Sequence, residues 1–562
     1  MTTELARSIR DCLLRRPGDA LVTLCAPRAG QQHERLSGLE LHAAALARAG
    51  ALSRCFDPGE GPLAIVLPCG ADFVTTLIGA LFAGFTVTAL APPRAGAQTA
   101  RFNAIVEDCR PGAILCSESL APRLLAARSA APSGRGIPIV TVGPAEAAPG
   151  PTALEDVAPA ADPRRPAILQ YTSGSTGAPR GVALHGEAIL ANASLANRTW
   201  GMDEHGAMLS WLPHFHDMGL MGGILYPLLS GGVTMLMDPL HMIQRPDRWL
   251  RLIDENRATF SGGPAFAFAH CLNAISDEQC EGLDLSSWRR AFCGAEPVPA
   301  ALMAAFRARF GRYGLDPRAL FASYGLAEYT LMVAGGVNDL PGERPAPPLG
   351  CAAIEPCRVA AEMRGDLRIV DPETLRPLPD GTAGEVWLRG ASVAGSYLGD
   401  AAETERVFGA TLDDPADADG RGGEWLRTGD IGTCAGGNLY IIGRRKDLLF
   451  ANGQKIPAPE VERLAAAQDP ALNPMAAAAF MPDELATGTA AVLIELRRRS
   501  TTIDQDAVRR RIRQAVAGTW SIDLVDIRFL APNTLPRTTS GKIQRRLVAE
   551  DYRSGLARAA AA

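Results

Sequence analysis

Apolar and polar positions along the chain fall into alternating blocks. "LAIVLP", "TVTAL", "GAILCS" and "IPIVTV" are apolar runs of strand length, separated by longer stretches of helical texture. That alternation predicts an α/β fold. Two stretches, Phe73–Pro93 and Met218–Met237, carry no charge and are just long enough to cross a bilayer. Each holds a glycine break followed by a β-branched segment, which predicts a buried helix leading into a buried strand, with no integral membrane segment. The texture changes at "RVAAEMRGDLRIVDPETLRPLPDGTAGEVWLRG", where short strands and turn signals such as "PDG" predict a small β-rich subdomain. After "GRRKD" (443–447) it changes again, to a compact α+β segment of about a hundred residues with a helix in "DAVRRRIRQAVAG". The Ala/Pro-rich stretch 143–165 reads as a loop.

Composition narrows the class. A chain of 562 residues exceeds one ordinary core, so two or more domains are expected. Its 47% hydrophobic and 21% charged residues are those of a globular protein. A formal charge of -5 leaves no basic footprint, and no nucleic-acid partner is expected. Twelve cysteines without any C-x-x-C pair suggest neither a disulfide framework nor a zinc knuckle, but small buried residues in a reducing compartment. "MTTELARSIRDCLLRRPGDA" has acidic residues and no apolar signal core, so a cytoplasmic location is expected.

Chemistry enters with "YTSGSTGAPRG" (171–181). Its hydroxyls and glycines suit neither helix nor strand interior, but do suit a bent loop whose N–H groups turn toward phosphate oxygens. A solvated linker is the bland alternative. It fits poorly between a strand-like "PAILQ" and the apolar start of "GVALHGEAILANASLA". "SYGLAEYT" (323–330) offers Glu328 as a carboxylate that could hold Mg²⁺ against phosphates, or serve merely as a helix N-terminal acid. "WLRTGDIG" (425–432) places Asp430 in a Gly-flanked turn suited to a ribose diol, or to an ordinary Asp turn. "GRRKDLLFANGQKI" contributes Arg444, and "LPRTTSGKIQRR" (535–546) presents Lys542 in a loop that, taken alone, would be a basic surface turn.

In this order and spacing the motifs resemble the adenylate-forming superfamily of acyl-CoA synthetases, nonribosomal adenylation domains and luciferases, across residues 10 to 550. The resemblance implies a large N-terminal domain, residues 1–442, of two α/β subdomains and a small β subdomain. It also implies a hinge at 443–447, pivoting at Lys446, and a mobile α+β C-terminal lid, 448–562. It places Thr172, Ser173, Gly174, Ser175, Thr176, Gly177 and Arg180 at the ATP phosphates and Glu328 at Mg²⁺. Arg180 stands where lysine is usual, keeping the charge but changing the hydrogen-bond geometry. Ser323, Tyr324 and Gly325 would lie along the adenine, Gly294, Ala295 and Glu296 would form its other wall, and Asp430 and Arg444 would hold the ribose. Lys542 would bridge the substrate carboxylate and the α-phosphate or a ribose oxygen.

A narrower resemblance, to fatty acyl-AMP ligases, is carried by "WLPHFHDMGLMGGILYPLLSGG", "RPDRWLRLIDENRATFSGGPAFAFAHC" and "GLDLSSWRRAFCGAEPV". It implies activation of a medium or long fatty acid to acyl-AMP and transfer to the phosphopantetheine thiol of a carrier protein. No carrier attachment motif follows residue 550, so the carrier is expected in trans. "HFHD" (214–217) could suggest a metal, because alternate residues on a strand share a face, but two histidines and one aspartate are weak evidence. The resemblance instead puts His216 at the mouth of the acyl pocket, with Met218, Leu220, Met221 and Phe266 as candidate apolar walls, or plain core. The family's inserted segment after the "GLAE" motif is shortened or absent in "TLMVAGGVNDLPGERPAPPLGC". Two alternatives therefore stay open: transfer to free CoA, and a nucleotide-binding module without ligase chemistry. The carboxylates and Lys542 argue against the second.

Overall fold

The structure, a computed structural model, describes residues 3–28, 30–94, 96–129, 136–143, 153–157, 162, 164–172, 179–337, 340, 343–348, 350–414, 424–451, 454–483, 488–497, 503–538 and 542–555. The backbone groups into two compact units, 1–428 with 433–440, and 429–432 with 441–562.

In the first unit the apolar runs form the strands of two large mixed sheets. One has eight strands, in spatial order Met332–Gly335, Leu320–Gly325, Arg290–Gly294, Phe260–Pro264, Ala207–Ser210, Val233–Leu236, Ala20–Leu24 and Glu34–Ser37. Its inner strands pair in parallel, and both edge strands turn antiparallel. The other has seven, Ser396–Tyr397, Arg180–Leu184, Ile168–Thr172, Val87–Ala89, Leu63–Val66, Ala113–Cys116 and Ile139–Thr141. Central runs such as Leu63–Val66 are wholly buried, as expected of parallel strands covered on both faces. Short antiparallel pairs, Leu367–Val370 with Gly384–Leu388 and Cys357–Arg358 with Asn438 and Leu439, make up the small β subdomain the turn signals anticipate. Around Gly381 the "PDG" turn takes φ +86°, where glycine meets little steric cost.

Both charge-free stretches are interior elements. Helix Ala71–Phe82 buries nearly every side chain and leads to strand Val87–Ala89. Met218–Leu225 winds as a π-helix, continues as the short helix Tyr226–Leu229, and reaches strand Val233–Leu236. Among the described residues no helix is long and apolar enough to cross a membrane. No disulfide links the twelve cysteines. Of the expected loop at 143–165, the short 3₁₀ turn Leu154–Asp156 is described, and most of the rest lies outside the described residues.

The second unit holds a hairpin, Leu448–Ala451 with Gln454–Pro457, and a three-stranded sheet of Leu472–Phe480, Thr489–Leu496 and Asp523–Leu530. The last two strands are parallel and joined by helix Gln505–Trp520, a βαβ unit. Alternation assigns the faces: Ala477 and Ala479 join the core with Val508, Ile512 and Val516, whereas Ala476 and Ala478 face Val548 and Ala549 of helix Arg545–Arg553.

Candidate active site

In open α/β sheets, ligands gather outside the carboxyl ends of the parallel strands. Four neighbouring strands of the eight-stranded sheet end in candidate segments. Ala207–Ser210 runs into the His214–Asp217 turn, Phe260–Pro264 into Phe266, Arg290–Gly294 into Ala295 and Glu296, and Leu320–Gly325 into Glu328. Segments far apart in the chain are thereby aligned along one sheet edge.

The backbone there is tight. A Cβ on Gly294 would stand 2.5 Å from the Ser323 carbonyl oxygen, and one on Gly325 would stand 1.9 Å from that of Leu331. Ala295 (φ +73°) and Thr330 (φ +66°) adopt left-handed conformations that a β-branched threonine rarely takes. Thr330 is sealed and donates through Oγ1 to the Ser392 carbonyl at 2.8 Å. Tyr324 is buried beside this turn, with Ser323 and Gly325 half-buried on either side of it.

The hairpin that carries the candidate phosphate-binding residues Thr172 and Arg180 belongs to the other sheet. Strand Ile168–Thr172 pairs antiparallel with Arg180–Leu184, and Thr172 sits opposite Arg180. Ser173, Gly174, Ser175, Thr176 and Gly177 lie outside the described residues. Buried Gln170 crosses between the sheets, its Nε2 donating to the Phe215 carbonyl at 3.1 Å. Arg180 donates to Glu403 Oε1 at 2.6 Å and lies 5.3 Å from the ring centre of Tyr397. Glu403 also takes two bonds from Arg406, at 2.6 and 2.7 Å. Those hydrogen bonds are the main reason its carboxyl sits below the usual range. Tyr397 donates to Glu328 Oε1 at 2.9 Å. Burial first, then the Glu328 charge, raises the pKa of that phenol, so it stays protonated.

The "HFHD" segment is a turn rather than a strand, since the strand before it stops at Ser210. His214 and His216 therefore do not share a strand face. His214 is buried, its Nε2 2.9 Å from the Leu67 carbonyl oxygen, with the Phe73 ring at 4.2 Å. His216 is half-buried and stacks obliquely on Phe215. Asp217 accepts from the Met218 N–H and caps the π-helix. Gly219 and Gly223 let that helix press against the Pro213 carbonyl and Ser210, where a Cβ would come within 2.2 and 2.5 Å. Met218 and Phe266 remain half-buried, while Leu220 and Met221 are sealed. Phe266 meets Trp211 edge-on at 5.9 Å.

In the second unit Asp430 is 6% exposed and pairs with Arg444 Nε at 3.2 Å. Lys446 lies in the 3₁₀ turn Arg445–Asp447 that follows. Lys542 is half-buried, where a surface turn would leave it exposed. Its loop is closed by Thr538 N–H donating to the Lys542 carbonyl at 2.8 Å, and by Lys542 N–H donating to Thr538 Oγ1 at 3.1 Å.

Residues 13–398 match the AMP-binding enzyme family. The chain is also 34% identical over 556 residues to the long-chain-fatty-acid–AMP ligase FadD26 of Mycobacterium marinum, covering 93% of this chain and 92% of that one. The chain belongs to the AMP-binding enzymes, among the fatty acyl-AMP ligases. FadD28 of Mycobacterium tuberculosis, another long-chain-fatty-acid–AMP ligase, is 34% identical, with 89% of each chain covered. A fatty acyl-adenylate ligase from work on the E. coli and L. pneumophila enzymes superposes with a TM-score of 0.80 at 26% identity, covering 98% of both chains.

Within this ligase fold the structure brings the Arg180 guanidinium and the Glu328 carboxylate to one tyrosine, Tyr397. Tyr397, Glu403 and Arg406 are missing from the motif reading. Their only local signal is "GSYLGDAAETER", in which Asp400 caps the helix Ala401–Phe408 by accepting from the Glu403 N–H. That pattern announces a helix start, not a site.

Proposed function

We propose that this chain condenses a medium- or long-chain fatty acid with ATP, giving acyl-AMP and pyrophosphate, and then passes the acyl group to the phosphopantetheine thiol of a carrier protein acting in trans. The observation that carries this reading is the set of candidate segments at adjoining strand ends, in a chain that matches fatty-acid–AMP ligases over nine-tenths of its length. A carboxylate must attack the α-phosphorus of a polyanion, so positioning and charge neutralisation dominate. The loop from Thr172 to Gly177, with Arg180, would grip the phosphates. Gly294–Glu296 and Ser323–Gly325 would flank the adenine, the paired Asp430 and Arg444 would hold the ribose, and His216 would border the acyl carboxyl end. Lys542 would lend its charge where negative charge develops.

Among the described residues no cluster of three or more His, Cys, Asp or Glu side chains could cage a metal. Glu328 would suit Mg²⁺, which is commonly held by one or two carboxylates together with substrate phosphates. When bound, that ion would neutralise phosphate charge.

Free CoA is the second reading for the acceptor, favoured by the short connection from Gly335 to Cys357. The test is purified protein with ATP and a fatty-acid panel, alone, with CoA, and with a phosphopantetheinylated carrier, read by mass spectrometry. Acyl-AMP is expected throughout and the thioester on the carrier. Lys542→Ala should slow adenylation by ~10²–10³-fold. Absence of acyl-AMP from the wild type defeats the proposal, and acyl-CoA in place of acyl-carrier replaces its acceptor.

A further inference from the structure

We propose that Tyr397 is a positioning residue for two opposite charges at once: its hydroxyl aims the Glu328 carboxylate, and its ring supports the Arg180 guanidinium. The inference rests on the role proposed above for Glu328 at Mg²⁺. It adds a residue that touches neither nucleotide nor acyl chain in that scheme.

The side chain is itself firmly held. Strand Ser396–Tyr397 pairs with Val182 and Ala183 of the hairpin that carries Arg180, so Tyr397 and Arg180 share one piece of sheet. The Tyr397 N–H donates to Thr404 Oγ1 at 3.0 Å, and Phe408 meets the ring edge-on at 5.1 Å. At 7% exposure the ring cannot swing into solvent without breaking these contacts. The segment 396–408 thus supplies both Tyr397, which bonds Glu328, and Glu403, which bonds Arg180. Glu328 lies in the short 3₁₀ turn Ala327–Tyr329, and the Tyr397 hydroxyl donates to its Oε1 at 2.9 Å, restricting how that carboxylate can turn. Arg180 lies over the negative face of the same ring, at 5.3 Å, which favours a guanidinium there. Orienting a carboxylate ligand from outside the coordination sphere is commonly worth 10- to 100-fold in metal affinity or activity, by order of magnitude.

Two variants separate the halves of this role. Tyr397→Phe removes only the hydroxyl, and Tyr397→Leu removes the ring as well. The probe is a non-hydrolysable ATP analogue, bound by calorimetry in EDTA and then across a Mg²⁺ titration, with the melting temperature as a check on folding. Tyr397→Phe should raise half-saturating Mg²⁺ by about 10-fold or more, and leave the affinity in EDTA within about 2-fold, inside the scatter of a single contact. Tyr397→Leu should in addition weaken binding in EDTA by roughly 2- to 5-fold, the size of an exposed cation–π contact. A Tyr397→Phe protein with the wild-type Mg²⁺ titration overturns the inference. So does one whose EDTA affinity and melting temperature fall together, because that is a purely structural residue. A wild type that ignores the analogue defeats the proposed function instead, and the two failures cannot be confused.

Discussion

His214 shows how one buried side chain can be kept out of proton chemistry. Burial pushes its pKa down to about 4, against partial compensation from the Leu67 carbonyl and the Asp238 charge. The unfolded chain would titrate it near 6.5, so between about pH 6.5 and 4 the unfolded state binds the extra proton. Its contribution to stability is therefore complete above pH ~6.5 and declines as the pH falls toward about 4. The loss is up to about 3 kcal/mol. Melting curves from pH 7 to 4 should show this slope in the wild type and a flatter one in His214→Gln, although that variant is less stable overall. Equal slopes in the two proteins would rule out His214 as the source.

At the level of elements, the turn after strand Leu320–Gly325 is the tightest part of the site. The Leu331 carbonyl accepts from Leu326 N–H at 2.9 Å and fills the space a side chain at Gly325 would need. Gly325→Ala must push backbone against backbone. It should cost about 1–3 kcal/mol, as overpacking does, and weaken Mg²⁺-dependent nucleotide binding because Glu328, the proposed Mg²⁺ ligand, rides the same turn. Gly518 is the contrast. It lies exposed in helix Gln505–Trp520, and a Cβ added there would meet nothing within 4 Å. Gly518→Ala should raise stability by roughly 0.5–1 kcal/mol and leave adenylation unchanged. Urea midpoints of the two variants should move in opposite directions.

For the molecule as a whole, the two half-reactions make different demands. Adenylation is proposed to need Lys542 at the α-phosphate, whereas a phosphopantetheine thiol must later reach the acyl carbonyl. One rigid arrangement can hardly serve both, so we propose a rotation with its pivot at 443–447. Lys446 occupies the middle of the 3₁₀ turn Arg445–Asp447, where proline would fix φ near -65° at one backbone position. Lys446→Pro is expected to form acyl-AMP at close to the wild-type rate and to transfer it at least ~10-fold more slowly, the outcome for a gating step. Single-turnover assays of each half-reaction decide it. A variant that loses both equally, or neither, places the pivot elsewhere.

Local order is what the sequence determined on its own. Strand and helix follow from periods of two and 3.6 residues, which neighbouring side chains carry. Hence the interior reading of Phe73–Pro93, the β-rich run from Arg358 and the helix in 505–520 are all legible in the chain itself. The residue types of the proposed site can be picked out from short runs too, because phosphate and ribose would demand particular groups close together. The π-helix at Met218–Leu225 escapes this reading, since its apolar pattern is that of any buried helix; its Gly219 and Gly223 lie tight against Pro213 and Ser210, contacts set only by the tertiary structure. The left-handed backbone at Ala295 and Thr330 escapes it too, because neither residue type signals such a conformation. Sheet order decided the rest. Tyr397 meets a carboxylate 69 residues away and Glu403 a guanidinium 223 residues away. No local periodicity encodes such pairs: strands become neighbours through crossovers, and only the assembled sheets bring Arg180, Tyr397 and Glu328 together.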